Sequence, residues 1–188
     1  MLKSLKKKEK DLIAKQKEQQ KKVDQLNKKI EELISKQVRT TTTLTKEQQL
    51  IAGGFEANQG RMPWPVEKGF ISGYFGKHQH PIHEHVTIEN KGIYLQTVSG
   101  ADARAIYEGE VTWCAQMNGS YAVIVQHGNY RSVYSQLAKI YVKQGDKLQA
   151  KQAIGQIQTD TSEDNKTELY FQIYKDRSIL NPSLWLAQ

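Results

Sequence analysis

The chain has 188 residues, a net charge of +7 and one cysteine, Cys114. That length suits a globular domain with an appendage, and a lone cysteine excludes both an internal disulfide and a cysteine-based zinc cluster. Residues 1–39 carry twelve Lys and one Arg against six acids, which is +7, whereas residues 40–188 carry 14 basic and 14 acidic side chains. A surplus confined to one arm argues against a nucleic-acid partner, whose footprint would be a basic patch on the folded part. No stretch approaches the ~18 apolar residues of a membrane span, and the lysines of "MLKSLKKKEK" have no apolar run behind them, so this is not a signal peptide.

Counting sevens from Leu2 gives Leu2, Glu9, Gln16, Val23, Ile30 and Gln37; counting from Leu5 gives Leu5, Leu12, Gln19, Leu26 and Leu33. Seven of these eleven positions are apolar and no Pro or Gly intervenes, which predicts a coiled-coil helix over 1–39, on the order of 55 Å long. Gln16 and Gln19 weaken the middle of the seam, so the helix needs a partner, either another copy or an earlier helix of a longer parent. Met1 opens in mid-pattern, and the expectation is a fragment of a longer coiled-coil region.

Residues 40–60 read as a linker with a short helix. "RTTTTLT" is β-branched and ends the first helix; Thr45 and Gln48 form a capping box, and the short helix is expected to stop at Gly53-Gly54. From residue 61 the pattern turns to short strands, roughly at 70–75, 84–88, 92–97, 103–107, 110–117, 121–127, 131–137, 153–158 and 167–174. Turn signals such as Asn118-Gly119, Gly128-Asn129 and Gly145-Asp146 separate them. The fold class is mainly β, preceded by a helical arm. In "ELYFQIY" the residues Leu169, Phe171 and Ile173 alternate with Glu168, Tyr170, Gln172 and Tyr174, which puts Glu168 and Tyr170 on one usable face. Trp64 and Trp185 read as anchors for the first and last segments, and Trp113, Val123 and Val125 as core. Cys114 reads as an inert strand residue.

Four of the five histidines fall within "HQHPIHEH", residues 78–85. His78 with His80, or His83 with His85, would share a strand face and could hold zinc. A polar loop around Pro81 is the alternative.

The segments "FGKHQHP", "NKGIYL", "EGEV", "YAVIVQHGNYRSVYSQL", "VKQGDKLQAKQAIGQI", "ELYFQIYK" and "LNPSLWL" resemble, in order and spacing, the LytM or lysostaphin-type zinc endopeptidase domain, over residues 61–188. The resemblance implies a duplicated-hairpin β-sheet sandwich and a cell-wall substrate. Where active relatives carry ligands in His-x-Gly-x-Asp, this chain has Asn90 and Tyr94. Their catalytic histidine in Tyr-x-His-Leu becomes Gln136, and the catalytic histidine and last ligand of His-x-His-Phe become Glu168 and Tyr170. An amide and a protonated phenol are poor zinc ligands, and one carboxylate does not hold a metal that needs three protein ligands. No zinc or other cofactor is therefore expected, and no catalysis. On this alignment His80 is not a ligand position.

A coiled coil followed by such an altered domain, with "MPWPV" at the junction, is similar to the EnvC-like murein hydrolase activators. That resemblance implies a periplasmic protein that binds and activates N-acetylmuramoyl-L-alanine amidases in cell division. It also implies an FtsE–FtsX-type membrane complex acting on the coiled coil, and peptidoglycan as a further partner. Asn90, Tyr94, Gln136, Glu168 and Tyr170 would line the former substrate groove, turned into a protein-binding cleft. Two rival readings are an active zinc endopeptidase with ligands relocated to residues 78–85, and a periplasmic adaptor with coiled coil and lipoyl-like hairpins.

Overall fold

The computed structural model describes residues 2–41, 43–80, 85 and 87–188, with no account of the Leu2 side chain. They form two compact units, divided after Thr40.

The first unit is one helix, α1, Leu2–Thr40. It ends where the threonine run begins: the Thr40 hydroxyl donates to the Lys36 and Gln37 carbonyls, satisfying acceptors that the last turn leaves open.

The second unit begins with α2, Lys46–Ala57. Its capping box forms as expected, the Gln48 amide N–H donating to Thr45 Oγ1 at 3.2 Å and the Thr45 N–H to Gln48 Oε1 at 3.0 Å. The helix does not stop at Gly53-Gly54 but continues to Ala57. The reason is tertiary: Phe55, the very next residue, is fully buried and stacks on Tyr130 at 4.7 Å and on His127 at 4.9 Å. That burial, worth roughly 2–3 kcal/mol, outweighs the poor propensity of two glycines. α2 therefore belongs to the β domain.

Thirteen strands follow among the described residues. They are β1 Phe70–Gly73, β2 Gly76–Gln79, β3 Thr87–Asn90, β4 Ile93–Thr97, β5 Asp102–Arg104, β6 Gly109–Met117 and β7 Ser120–His127, then β8 Tyr130–Ile140, β9 Lys147–Leu148, β10 Ala153–Ile157, β11 Thr159–Asp160, β12 Lys166–Lys175 and β13 Ser178–Leu180. The main sheet runs β1-β4-β12-β8-β7-β6-β9, with β10 joined to β5 and β8, and β2 pairs with β3 in a separate ribbon. The mainly β fold with an N-terminal helix is the expected one. The sequence pattern missed β2 because His78 and Gln79 are polar, and missed β9, β11 and β13 because each is two or three residues long and formed by pairing, not by composition.

The core lies on the face of the sheet that carries Leu95, Val123, Val125, Tyr134, Leu169, Phe171 and Ile173, with Phe55 and Trp185 against it. Trp185 packs on Phe55 at 5.2 Å, and Trp64 Nε1 donates to the Ala187 carbonyl at 2.8 Å, so the two tryptophans join the segment before β1 and the last segment to the core and to each other. Trp113 is half-buried and outside this cluster: the irregularity between Val111 and Trp113 in the β6–β7 ladder changes the alternation that placed it in the core.

Candidate functional site

β12 is the strand that organises the site. It is paired on both sides, with β4 and with β8, which sets Tyr170 directly opposite Tyr94 on one neighbour and opposite Ser135 on the other. The two tyrosine rings stack with centroids 4.7 Å apart and planes 26° from parallel. Such a cross-strand aromatic pair is worth roughly 0.5–1.5 kcal/mol beyond its burial. Gly73 of β1 sits across from Tyr94 on the other side, and a β-carbon there would stand 2.8 Å from the Tyr94 ring. The glycine is what lets that ring lie flat beside β1.

Sequence alternation placed Tyr170 on an available face. The structure corrects this: Tyr170, Gln172 and Tyr174 are as buried as Leu169, Phe171 and Ile173. Period-two alternation separates two faces but does not say that one of them meets water; a central strand with large side chains on both faces can be buried on both. Tyr94 is half-buried above Tyr170, and Glu168, Asn90 and Gln136 are also half-buried.

Glu168 is held on two sides. Ser72 Oγ donates to its Oε1 at 2.5 Å, and Lys166 Nζ lies 3.3 Å from its Oε2. Asn90 Nδ2 donates to the Tyr74 carbonyl at 3.0 Å and lies 3.2 Å from His78 Nε2. The amide thereby clips the β2–β3 ribbon to the end of β1. Gln136 stands in a bulge of β8, where Ser135 and Gln136 together oppose Ala122, and its φ of +67° is left-handed. Its carbonyl accepts from the Gln158 N–H at 2.9 Å, which fixes that conformation. Beside it the Ser135 hydroxyl is buried without a hydrogen-bond partner among the described residues.

Ser72, Gly73 and Lys166 are site residues that sequence reasoning missed, and His78, read there as a candidate metal ligand, instead meets Asn90. A glycine facing an aromatic across a ladder is detectable only once the register is known. Phe70 and Tyr74 bracket Ser72 and are 57 % and 62 % exposed, so aromatic surface at this edge comes from β1 and its turn, not from β12. Of the histidine cluster, His78 lies in β2, His80 is half-buried, His85 is exposed, and His83 lies outside the described residues.

The positions at which the resemblance puts zinc ligands do not fit the metal. Asn90 uses its amide N–H as a donor and Tyr94 and Tyr170 stack on each other, while Glu168, at a catalytic position beside them, is a lone carboxylate held by Ser72 and Lys166. Among the described residues no three His, Cys, Asp or Glu side chains gather as a metal would require.

A polar group apart from this face is a buried network under α2. Glu108's carbonyl can only accept, so His127 Nδ1 donates to it at 2.6 Å, and Nε2 is left to accept from Ser132 Oγ at 2.8 Å. The Ser132 and Tyr134 hydroxyls are 3.1 Å apart, and Tyr134 Oη takes the Ile106 N–H at 3.1 Å. Burial pushes the His127 pKa down to about 4 and the Tyr134 phenol up to about 12.

Residues 88–182 match the model of Peptidase family M23. The chain belongs to that family. No curated protein sequence matches it. Among solved structures it is similar to a chain of the SpoIIQ–SpoIIIAH pore-forming complex, at 25 % identity and a TM-score of 0.58, over 69 % of this chain and 92 % of that one. A second SpoIIIAH–SpoIIQ complex gives 27 % identity and a TM-score of 0.54, over 65 % and 97 % of the two chains. A zinc-containing peptidase from Vibrio cholerae shares the fold, with 21 % identity and a TM-score of 0.55, over 66 % of this chain and 40 % of that one.

Proposed function

We propose that this M23-family chain is a non-catalytic activator of N-acetylmuramoyl-L-alanine amidases. It would work in the periplasm, in cell-wall remodelling and septal daughter-cell separation, through the region of the former substrate groove. The observation that carries the reading is the occupation of the ligand positions: Tyr94 is stacked on Tyr170, and Asn90 is committed as a donor to Tyr74. These side chains are spent on internal contacts that tie β1, β4 and β12 together, and they suit a protein-binding scaffold better than a hydrolytic centre. The likeness to chains solved within a protein–protein complex supports the same direction.

In this reading Phe70 and Tyr74 join the five residues named from the sequence. Asn90, Tyr94, Gln136 and Glu168 supply half-buried polar and aromatic rim, Tyr170 supplies the floor, and exposed Phe70 and Tyr74 supply contact area. Aromatic side chains give large contact at low rotamer cost. An activator acts by binding the competent state of its target more tightly than the inhibited one; a tenfold preference corresponds to about 1.4 kcal/mol. α1 would serve as the part held by an FtsE–FtsX-type membrane complex, and no cofactor is required.

Dye release from peptidoglycan tests this with the full chain alone, an amidase alone and both together, alongside a zinc determination. The expected outcome is an inert, zinc-free chain and a mixture that releases far more dye than the amidase alone. Substituting Phe70 and Tyr74 by Ser should abolish the gain. Chelator-sensitive cutting by the chain alone would replace this reading with that of a zinc endopeptidase.

A further inference from the structure

The coiled-coil frame of α1 contains a pattern that amidase activation does not use. In the frame with Leu5, Leu12 and Leu26 on one seam position and Val23 and Ile30 on the other, one flanking row is Lys8, Lys15, Lys22, Lys29 and Lys36. All five lysines are exposed. The other flanking row, Lys6, Ile13, Gln20, Asn27 and Ile34, contains no acid.

Flanking positions choose the partner of a coiled coil, because they face the partner's own flanks across the seam. Two copies of α1 side by side and parallel would set the lysine row against Ile13, Gln20, Asn27 and Ile34, with no ion pair formed. Two antiparallel copies would set lysine against lysine. Neither arrangement has an attractive flank, and the second is repulsive, so the helix discriminates against itself. Lys22 does pair with Glu18 at 3.2 Å, but along the same helix and in solvent, which leaves the sign of the row unchanged.

The seam over the first half of the helix is available. Leu5 and Leu12 are 62 % and 61 % exposed, although both occupy seam positions. Asp11, Glu18 and Asp24 lie outside the lysine row and break up the positive field, which disfavours a polyanion or an anionic bilayer as the occupant.

We propose that residues 2–23 of α1 pair with a different helix, one with an apolar seam and with Glu or Asp along the flank that meets Lys8, Lys15 and Lys22. The inference rests on reading α1 as a coiled-coil strand and is independent of amidase activation, since the dye-release assay can succeed or fail whatever binds the arm.

The experiment uses the full chain and two synthetic helices of equal length and identical leucine seam, one with Glu and one with Lys at both flanks. Fluorescence anisotropy measures binding at low and high salt, and sedimentation velocity measures the chain alone. The expected result is a monomer that binds the Glu-flanked helix at least about tenfold more tightly than the Lys-flanked one, with the difference shrinking in high salt. The triple variant Lys8→Glu, Lys15→Glu, Lys22→Glu should reverse the preference. Its β domain, followed by tryptophan emission, should unfold at the same urea concentration as the parent. Equal affinity for the two helices, binding of neither, self-association lost on Leu5→Ser and Leu12→Ser, or binding of anionic vesicles in place of the Glu-flanked helix would each overturn the proposal.

Discussion

Acid should loosen this fold through one residue, His127. It is fully buried, stacked on Phe55, and bonded through both ring nitrogens. Its pKa of about 4 in the fold lies below the ordinary value of 6.5, chiefly because burial penalises the imidazolium. The unfolded chain therefore binds the proton first as pH falls. The contribution to stability is complete above pH 6.5, declines by about 1.4 kcal/mol per pH unit below it, and is lost by pH 4. The full loss is about 3 kcal/mol, most of it incurred by pH 4.5. Protonation also makes Nε2 a donor, so Ser132 can no longer donate to it and the short bond must rearrange. The assay is urea unfolding followed by tryptophan emission at pH 7.5 and 4.5, for the parent and for His127→Gln, which cannot titrate. Other groups titrate in both proteins, so the difference between the two pH responses isolates His127. The parent should lose about 2–3 kcal/mol more than the variant on acidification. Equal losses would falsify the assignment of His127 as the buried neutral group.

Gln136→Gly should be neutral or stabilise by up to about 1 kcal/mol, because the left-handed conformation suits glycine, while the β-branched Gln136→Val should cost about 1–3 kcal/mol; urea midpoints that rank the two the other way refute the strain. Tyr170→Ala should cost about 3–5 kcal/mol, since it empties a fully buried aromatic site beneath Tyr94; a loss below about 1 kcal/mol would mean that Tyr170 is not packed as described. Ser135→Ala, which removes a buried hydroxyl with no partner among the described residues, should leave the thermal midpoint unchanged or raise it, the opposite of a typical core substitution; a clear drop would reveal a bond to that hydroxyl.

Much of the fold is readable along the chain because its signals are local. The helical pattern of α1, the threonine stop, the Thr45–Gln48 box and the Gly-containing turns act over three to seven residues, and the helix, its end, the box and the turns appear where expected. The family resemblance was carried by the same kind of short ordered segments. Of the positions named from the sequence, Tyr94, Glu168 and Tyr170 lie on the paired strands β4 and β12, whereas Asn90 sits in the separate β2–β3 ribbon.

Tertiary structure decided the rest. Whether Tyr170 faces water depends on what lies over a central strand. The donor to Glu168 comes from Ser72, 96 residues away. The conformation of Gln136 is set by a bulge and by Gln158, and α2 outlasts its two glycines because Phe55 finds a core built from later strands. The sequence by itself determined which donor groups stand at the positions where the resemblance puts metal ligands, since that is a matter of side-chain identity. What those residues do instead depends on contacts between distant segments, whose energies no local pattern encodes.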